Sequence, residues 1–211
     1  MTLMLVGLGN YGEKFEHTRH NVGAILLREI VRQQGGQWSS FKSQGSSGRD
    51  SLRRSRLFFD KSRVRDKGKK VIAQISAFSM FSQKVLAVIP CSFMNECGAF
   101  VAPVRDYYRV DPKSVVVIHD DLDMQPGTIK SKKGGGGTGG HNGIRSLQHS
   151  FGDGDFSRIK IGIGHPSALV SSRGVLQVSD WVVSPLSDEE LEHICGALVD
   201  QATHRIAQLL S

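Results

Sequence analysis

From Ser114 the chain runs Val-Val-Val-Ile without a polar break and then turns polar at His119-Asp120. A β-branched run that is apolar on both faces belongs inside a sheet covered on both sides, and such sheets are parallel ones flanked by helices. In open α/β sheets ligands bind beyond the carboxyl ends of the strands, so His119 and Asp120 stand where a site is expected. Leu3 to Leu8 is a second short apolar run, bounded by Gly7 and Gly9, with the pattern of a buried strand entering a turn.

The remaining elements fit the same class. Between Arg19 and Gln34 the residues Val22, Ile25, Leu26, Ile30 and Val31 recur at helical spacing, and Gly35-Gly36 stop the helix. Thr18 is its expected N-cap, which places His20 in the first turn, where the helix dipole favours the neutral imidazole. Val71 to Ala77 and Val85 to Ile89 predict a hairpin, followed by a helix from Ser92 or Asn95 to about Tyr108. Thr128 to Lys132 and Arg158 to Ile163 read as strands, Gly134 to Gly140 as a flexible loop, and Asn142 to Phe151 as a short helix. A long C-terminal helix is expected over Ser187 to Leu210, started by Ser187-Asp188-Glu189-Glu190. The expectation is an α/β fold: a single domain over 1–211, with a mixed, mostly parallel sheet between helices.

Charge is unevenly placed. The chain of 211 residues carries a formal net charge of +7, from 27 Lys and Arg against 20 Asp and Glu. Residues 39 to 70 alone hold 11 basic and 3 acidic side chains, leaving 16 against 17 elsewhere. This Ser/Gly/Arg-rich stretch reads as a basic, flexible insertion that prefers a polyanion, or as a solvated loop without a partner. Cys91, Cys97 and Cys195 form no CxxC pair, which argues against a disulfide framework and a zinc site and fits a reducing compartment. No apolar run approaches the length of a membrane span, and no charged leader precedes the first strand pattern. The expected location is cytoplasmic, with an organelle matrix as the alternative, and nothing demands more than a monomer.

Polar strings interrupt the apolar pattern at Gly9-Asn10, Thr18-Arg19-His20-Asn21, Phe93-Met94-Asn95 and Gly140-His141-Asn142-Gly143. Each lies next to an apolar strand or opens a helix, so all could converge on one crevice at the loop ends of the sheet. Asn supplies a donor and an acceptor without charge, which suits holding an ester or a peptide near a base. His20, with an intrinsic imidazole pKa of about 6.5, is the candidate general base, and Asp120 the residue that orients it. No GxSxG elbow is present and no other nucleophile is placed beside His20, so direct attack by water is preferred to an acyl-enzyme.

These strings, read with His119-Asp120-Asp121-Leu122-Asp123, resemble the bacterial-type peptidyl-tRNA hydrolase family. The resemblance runs from LVGLGNYGEKFEHTRHNVG through SFMNECG and VVVIHDDLDMQPGTIKSKKGGGGTGGHNGIRSL to RIKIGIGHP. It implies hydrolysis of the ester joining a peptide to the 3′-terminal ribose of tRNA, with His20 as base, Asp120 as its partner, and no metal or cofactor. It also implies a substrate site built from Asn10, Phe15, Met94, Asn95, Gly139, Gly140, His141 and Asn142, with Lys132 and Lys160 against the tRNA 5′-phosphate. The sequence departs from the family at Tyr11, usually Pro, and at Phe15, commonly Tyr. The glycine run 134 to 137 is one residue longer than usual, and the basic stretch 39 to 70 is an insertion.

Two other readings compete. A metal-dependent hydrolase would gather His20, His119, Asp120, Asp121, Asp123 and His141 around an ion, although no pair has HxH or HxxxH spacing. A non-catalytic RNA-binding protein on the same fold, of the kind found among plant organellar splicing factors, would use the basic stretch but has no need of His20, Asp120 and the three Asn together.

Overall fold

The computed structural model describes residues 2–43, 65–66, 69–152, 154–166, 170–171 and 174–210. In chain order the strands and helices are β1 (Thr2–Gly7), α1 (Val22–Gln33), β2 (Ser39–Lys42), β3 (Arg65–Asp66), β4 (Lys69–Met80), β5 (Gln83–Pro90), α2 (Cys97–Tyr107) and β6 (Val115–Asp121). They continue as β7 (Ile129–Lys132), α3 (Asn142–Phe151), β8 (Ser157–Gly162), β9 (Val170–Ser171), β10 (Gly174–Val175), α4 (Val178–Val182), α5 (Asp188–Cys195) and α6 (Ala197–Leu210).

One mixed sheet has the order β2-β4-β5-β1-β6-β8-β7, with β3 paired to β4. Its centre is parallel, β5 to β1 to β6 to β8, and both edges are antiparallel. The strands alternate between two cores, as a period of two requires. Leu3, Leu5, Val116, Ile118, Ile159 and Ile161 pack with α1, α5 and α6, while Met4, Val6, Val115 and Val117 pack with α2 and α3. Helix α1 lies so close to β6 that a Cβ on Gly23 would stand 2.2 Å from the Ile118 carbonyl oxygen, a contact only glycine permits.

The hairpin expected over 71–77 and 85–89 is present as β4 and β5. Three boundaries differ from the sequence reading. The C-terminal helix breaks at Gly196, whose φ of −107° and ψ of −102° are not helical, into α5 and α6. Neither Ser92 nor Asn95 caps α2, because a 3₁₀ turn over Met94–Glu96 intervenes. Thr18 stands at the cap position of a 3₁₀ turn, Arg19–Asn21, but its hydroxyl donates to the Phe15 carbonyl instead of capping a helix, so His20 precedes α1. The basic stretch 39 to 70 begins and ends in strand, since Ser39–Lys42 pairs with β4. Residues 44–64, the bulk of the expected insertion, lie outside the described residues.

Candidate active site

Asp120 occupies the carboxyl end of β6 and is almost wholly buried. His20 reaches it from the turn before α1, with Nδ1 at 2.9 Å from both carboxyl oxygens. His141 reaches Oδ1 from the other side, its Nε2 at 2.9 Å. The tautomer of His141 follows from its second nitrogen. His141 is the N-cap of α3, and its Nδ1 accepts from the backbone N–H of Gly143 at 3.1 Å and of Ile144 at 3.3 Å. That nitrogen has no room for a proton, so Nε2 carries it and donates to Asp120. The carboxylate in turn makes His20 Nδ1 a donor, and the nitrogen left with a lone pair is His20 Nε2. Burial alone would raise the Asp120 carboxyl, but the imidazoles of His141 and His20 outweigh it and hold the group well below the usual carboxylate range.

A third imidazole, His119, donates from Nδ1 to the Asp120 carbonyl at 2.7 Å and leaves Nε2 without a partner. Burial first, and then the neighbouring His141, push it down to about 3. A histidine depressed in the folded state is protonated more readily when unfolded, so its contribution to stability is complete above about pH 6.5 and is lost as pH falls toward 3. His119→Phe is therefore expected to flatten the acid-side loss of stability between pH 6 and 4 relative to wild type. Urea midpoints measured against pH check this, and parallel curves for the two proteins would refute it.

The imidazoles open on a cavity of about 490 Å³ lined by His20, Asp120, Gly139, Gly140, His141, Asn142, Lys132 and Lys160, with Val178, Ser179 and Val182 of α4 opposite. Gly139 and Gly140 have φ of 56° and 76°, so this wall is left-handed backbone in which a side chain would be strained. The Lys160 ammonium is paired with the Asp121 carboxylate.

Of the other expected site residues Asn142 belongs to that lining, whereas Asn10, Phe15, Met94 and Asn95 lie outside it. Asn10 exchanges hydrogen bonds with Asn21, its N–H to Asn21 Oδ1 at 2.7 Å and its carbonyl from Asn21 Nδ2 at 3.0 Å. Its own Oδ1 accepts from the Met94 N–H at 2.8 Å, which latches the β1 loop to the 94–96 turn and leaves the amide NH₂ as the end that can meet a ligand. Met94 is buried, its sulfur packed against Gly143, while Asn95 is exposed. Phe15 meets the exposed Phe93 edge-on at 6.3 Å. Asn142 accepts from Arg145 at 3.1 Å.

A family model described as peptidyl-tRNA hydrolase matches residues 4–211. The chain belongs to the peptidyl-tRNA hydrolase family. It is 34% identical over 202 residues to the peptidyl-tRNA hydrolase of Rhodococcus opacus (strain B4), covering 94% of this chain and 88% of the relative. It is also 34% identical over 208 residues to that of Rickettsia conorii, covering 99% and 93%. The crystal structure of the Acinetobacter baumannii peptidyl-tRNA hydrolase superimposes with a TM-score of 0.73 at 28% identity, over 99% of this chain and 88% of that one.

Family membership leaves several contacts that the sequence reading missed. Arg19 lies over the Trp181 ring at 4.0 Å and pairs with Glu190 at 2.9 Å, which ties the His20 turn to the start of α5. Glu190 simultaneously closes the capping box with Ser187. The Ser187 signal was legible; its link to Arg19 was not. Helix α4 has five residues, too few for a period to show.

The metal alternative narrows. Among the described residues His20, Asp120 and His141 have ligand atoms within 4.8 Å of one another, and His119, Asp121 and Asp123 are not in that group. For His141 to bind a cation through Nε2 it must shed that proton, and its other nitrogen already faces two N–H donors at the start of α3. This donor set is poorly suited to a metal.

Proposed function

We propose that this chain hydrolyses peptidyl-tRNA, cleaving the ester between the peptide and the 3′-terminal ribose by direct attack of water. The observation that carries the reading is the orientation of His20, whose Nδ1 is held by Asp120 so that Nε2 is the basic nitrogen in a residue lining the cavity. In this mechanism His20 Nε2 takes the proton as water attacks the ester carbonyl. Asp120 stabilises the imidazolium that forms, and the proton passes on to the departing ribose oxygen. The amide NH₂ of Asn10, together with Asn95 and Asn142, holds the ester and the last peptide units, Met94 and Phe15 supply apolar contact, and Gly139 and Gly140 admit close approach of backbone. Lys132 and Lys160 meet the 5′-phosphate, with Asp121 giving up Lys160 when phosphate arrives.

The test is incubation with an N-blocked aminoacyl-tRNA beside its free-amine counterpart, in the presence of EDTA. Release from the blocked substrate alone is the expected result. Binding without release would favour the RNA-binding alternative, and activity lost to the chelator and restored by a divalent ion would revive the metal-dependent one.

The basic segment gives a further expectation. Residues 44–64 contain six Lys or Arg and two Asp, and their flanks enter the sheet beside Cys91, whose N–H bonds the Ile72 carbonyl at the edge where β5 leads into the 94–96 turn. Replacing 44–64 by a short Gly-Ser linker keeps β2 and should weaken all tRNAs alike while turnover at saturation is unchanged. The slope of log affinity against log salt becomes shallower by about 0.7 to 0.9 for each phosphate that the segment no longer neutralises, over about two to four phosphates. An unchanged slope would mean a solvated loop with no role in binding.

A further inference from the structure

Arg158 is a charge in an unexpected place. It lies on β8 in register with Val117 and Lys132 and is only 3% exposed. Among the described residues its partners are not carboxylates but two neutral carbonyls of the glycine loop: Nη1 donates to Gly137 at 2.8 Å and Nη2 to Gly136 at 3.0 Å. The guanidinium stands 5.2 Å from the centre of the Phe156 ring, and Nε has no partner. Burying a guanidinium without a counter-charge is costly, so a strand position that needed only packing would be better served by an apolar residue. The geometry that offsets part of this cost is the planar fork, which spans two successive carbonyls as one ammonium cannot.

The start of the loop is tied by the Gly135 N–H to the Gly154 carbonyl at 3.0 Å and the Gly134 N–H to Ser157 Oγ at 3.4 Å, but its glycines have no side chains with which to hold the rest. Gly134, Gly135 and Gly136 all have positive φ, at 41°, 62° and 96°. The Gly136 carbonyl accepts a second bond from Gln148 Nε2 at 2.8 Å, so strand β8 and helix α3 grip the same peptide unit. A few residues on, the loop becomes the Gly139-Gly140 wall of the cavity and then His141, the second imidazole on Asp120.

We propose that Arg158 is a positioning residue that clamps the glycine loop into the wall of the substrate cavity. Arg158 itself borders that cavity, but its Nη1 and Nη2 are committed to the loop carbonyls. It sets the loop before the substrate arrives, so that binding need not bear the cost of ordering a glycine-rich chain. This rests on the hydrolase reading above, and the experiment separates the two.

Arg158→Met and Arg158→Lys are compared with wild type for KM and kcat on an N-blocked aminoacyl-tRNA, for the pH profile of kcat, and for amide exchange of residues 134–140. The clamp predicts that Met raises KM about tenfold or more with kcat within about threefold. Lys, which keeps the charge and loses the fork, should recover only part of the difference. Exchange across 134–140 should quicken in both, while the shape of the pH profile of kcat stays as in wild type. If Met does not fold, Lys alone carries the test. Wild-type KM and exchange in either folded variant would overturn the clamp, as would a lowered melting temperature with KM unmoved. Absence of hydrolysis by wild type itself would instead refute the hydrolase reading, and the exchange measurement would still decide whether Arg158 holds the loop.

Discussion

His20→Ala is expected to lower turnover of peptidyl-tRNA by a factor of about 10² to 10⁴, the range a positioned general base contributes, and to leave tRNA affinity within a few fold. The imidazole is nearly buried, with Nδ1 committed to Asp120, so only Nε2 is left for water. Lys132 and Lys160, the charges proposed to meet the phosphate, are on strands β7 and β8 and do not depend on it. The alanine also leaves Asp120 with His141, so the buried carboxylate keeps one donor and the fold should survive. Single-turnover rates at saturating substrate, with affinity measured by titration of a non-hydrolysable analogue, check both halves. A variant that kept more than about a tenth of wild-type turnover would remove His20 as the base.

What was legible in the sequence followed from periodicity and from polar interruptions of it. The run before His119 could only be a covered strand, and its polar end marked the ligand edge; Asp120 stands there and meets His20. The 3.6-residue period of Val22 to Val31 likewise fixed α1, whose inward face is buried as that pattern requires. What was not legible depended on tertiary contact. His141 looks like one more loop residue until α3 begins immediately after it and presents two N–H groups to its Nδ1. Arg158 and Lys160 lie two apart on the same face of β8 and both border the cavity, and no one-dimensional pattern says that the first bonds the carbonyls of a glycine loop while the second pairs with Asp121. The break at Gly196 was hidden because the apolar residues of α5 and α6 keep nearly helical spacing across it.

Asp120→Asn is expected to cost about 10² to 10³ in turnover, more than the loss of one hydrogen bond, because the substitution corrupts the tautomer of His20. An amide has one accepting and one donating end, whereas Asp120 accepts from two imidazoles. His141 cannot reverse its role, since its Nδ1 is pinned by the N–H groups of Gly143 and Ile144 and its Nε2 must donate. The amide oxygen of the variant therefore turns to His141 and its NH₂ turns to His20. There it meets Nδ1, which must surrender its proton and accept, and the proton moves to Nε2, the nitrogen that should take one from water. A mis-set tautomer of this kind costs about 10⁴ in a Ser-His-Asp triad. Turnover within about threefold of wild type across pH 6 to 8 would take Asp120 out of the mechanism. In Asp120→Asn combined with His141→Ser, the serine can still cap α3 and no longer demands the amide oxygen, so the amide is free to turn that oxygen to His20. The double variant should then be several-fold more active than Asp120→Asn alone, although His141→Ser by itself lowers activity. Losses that simply multiply would show that His20 and His141 do not compete for the carboxylate.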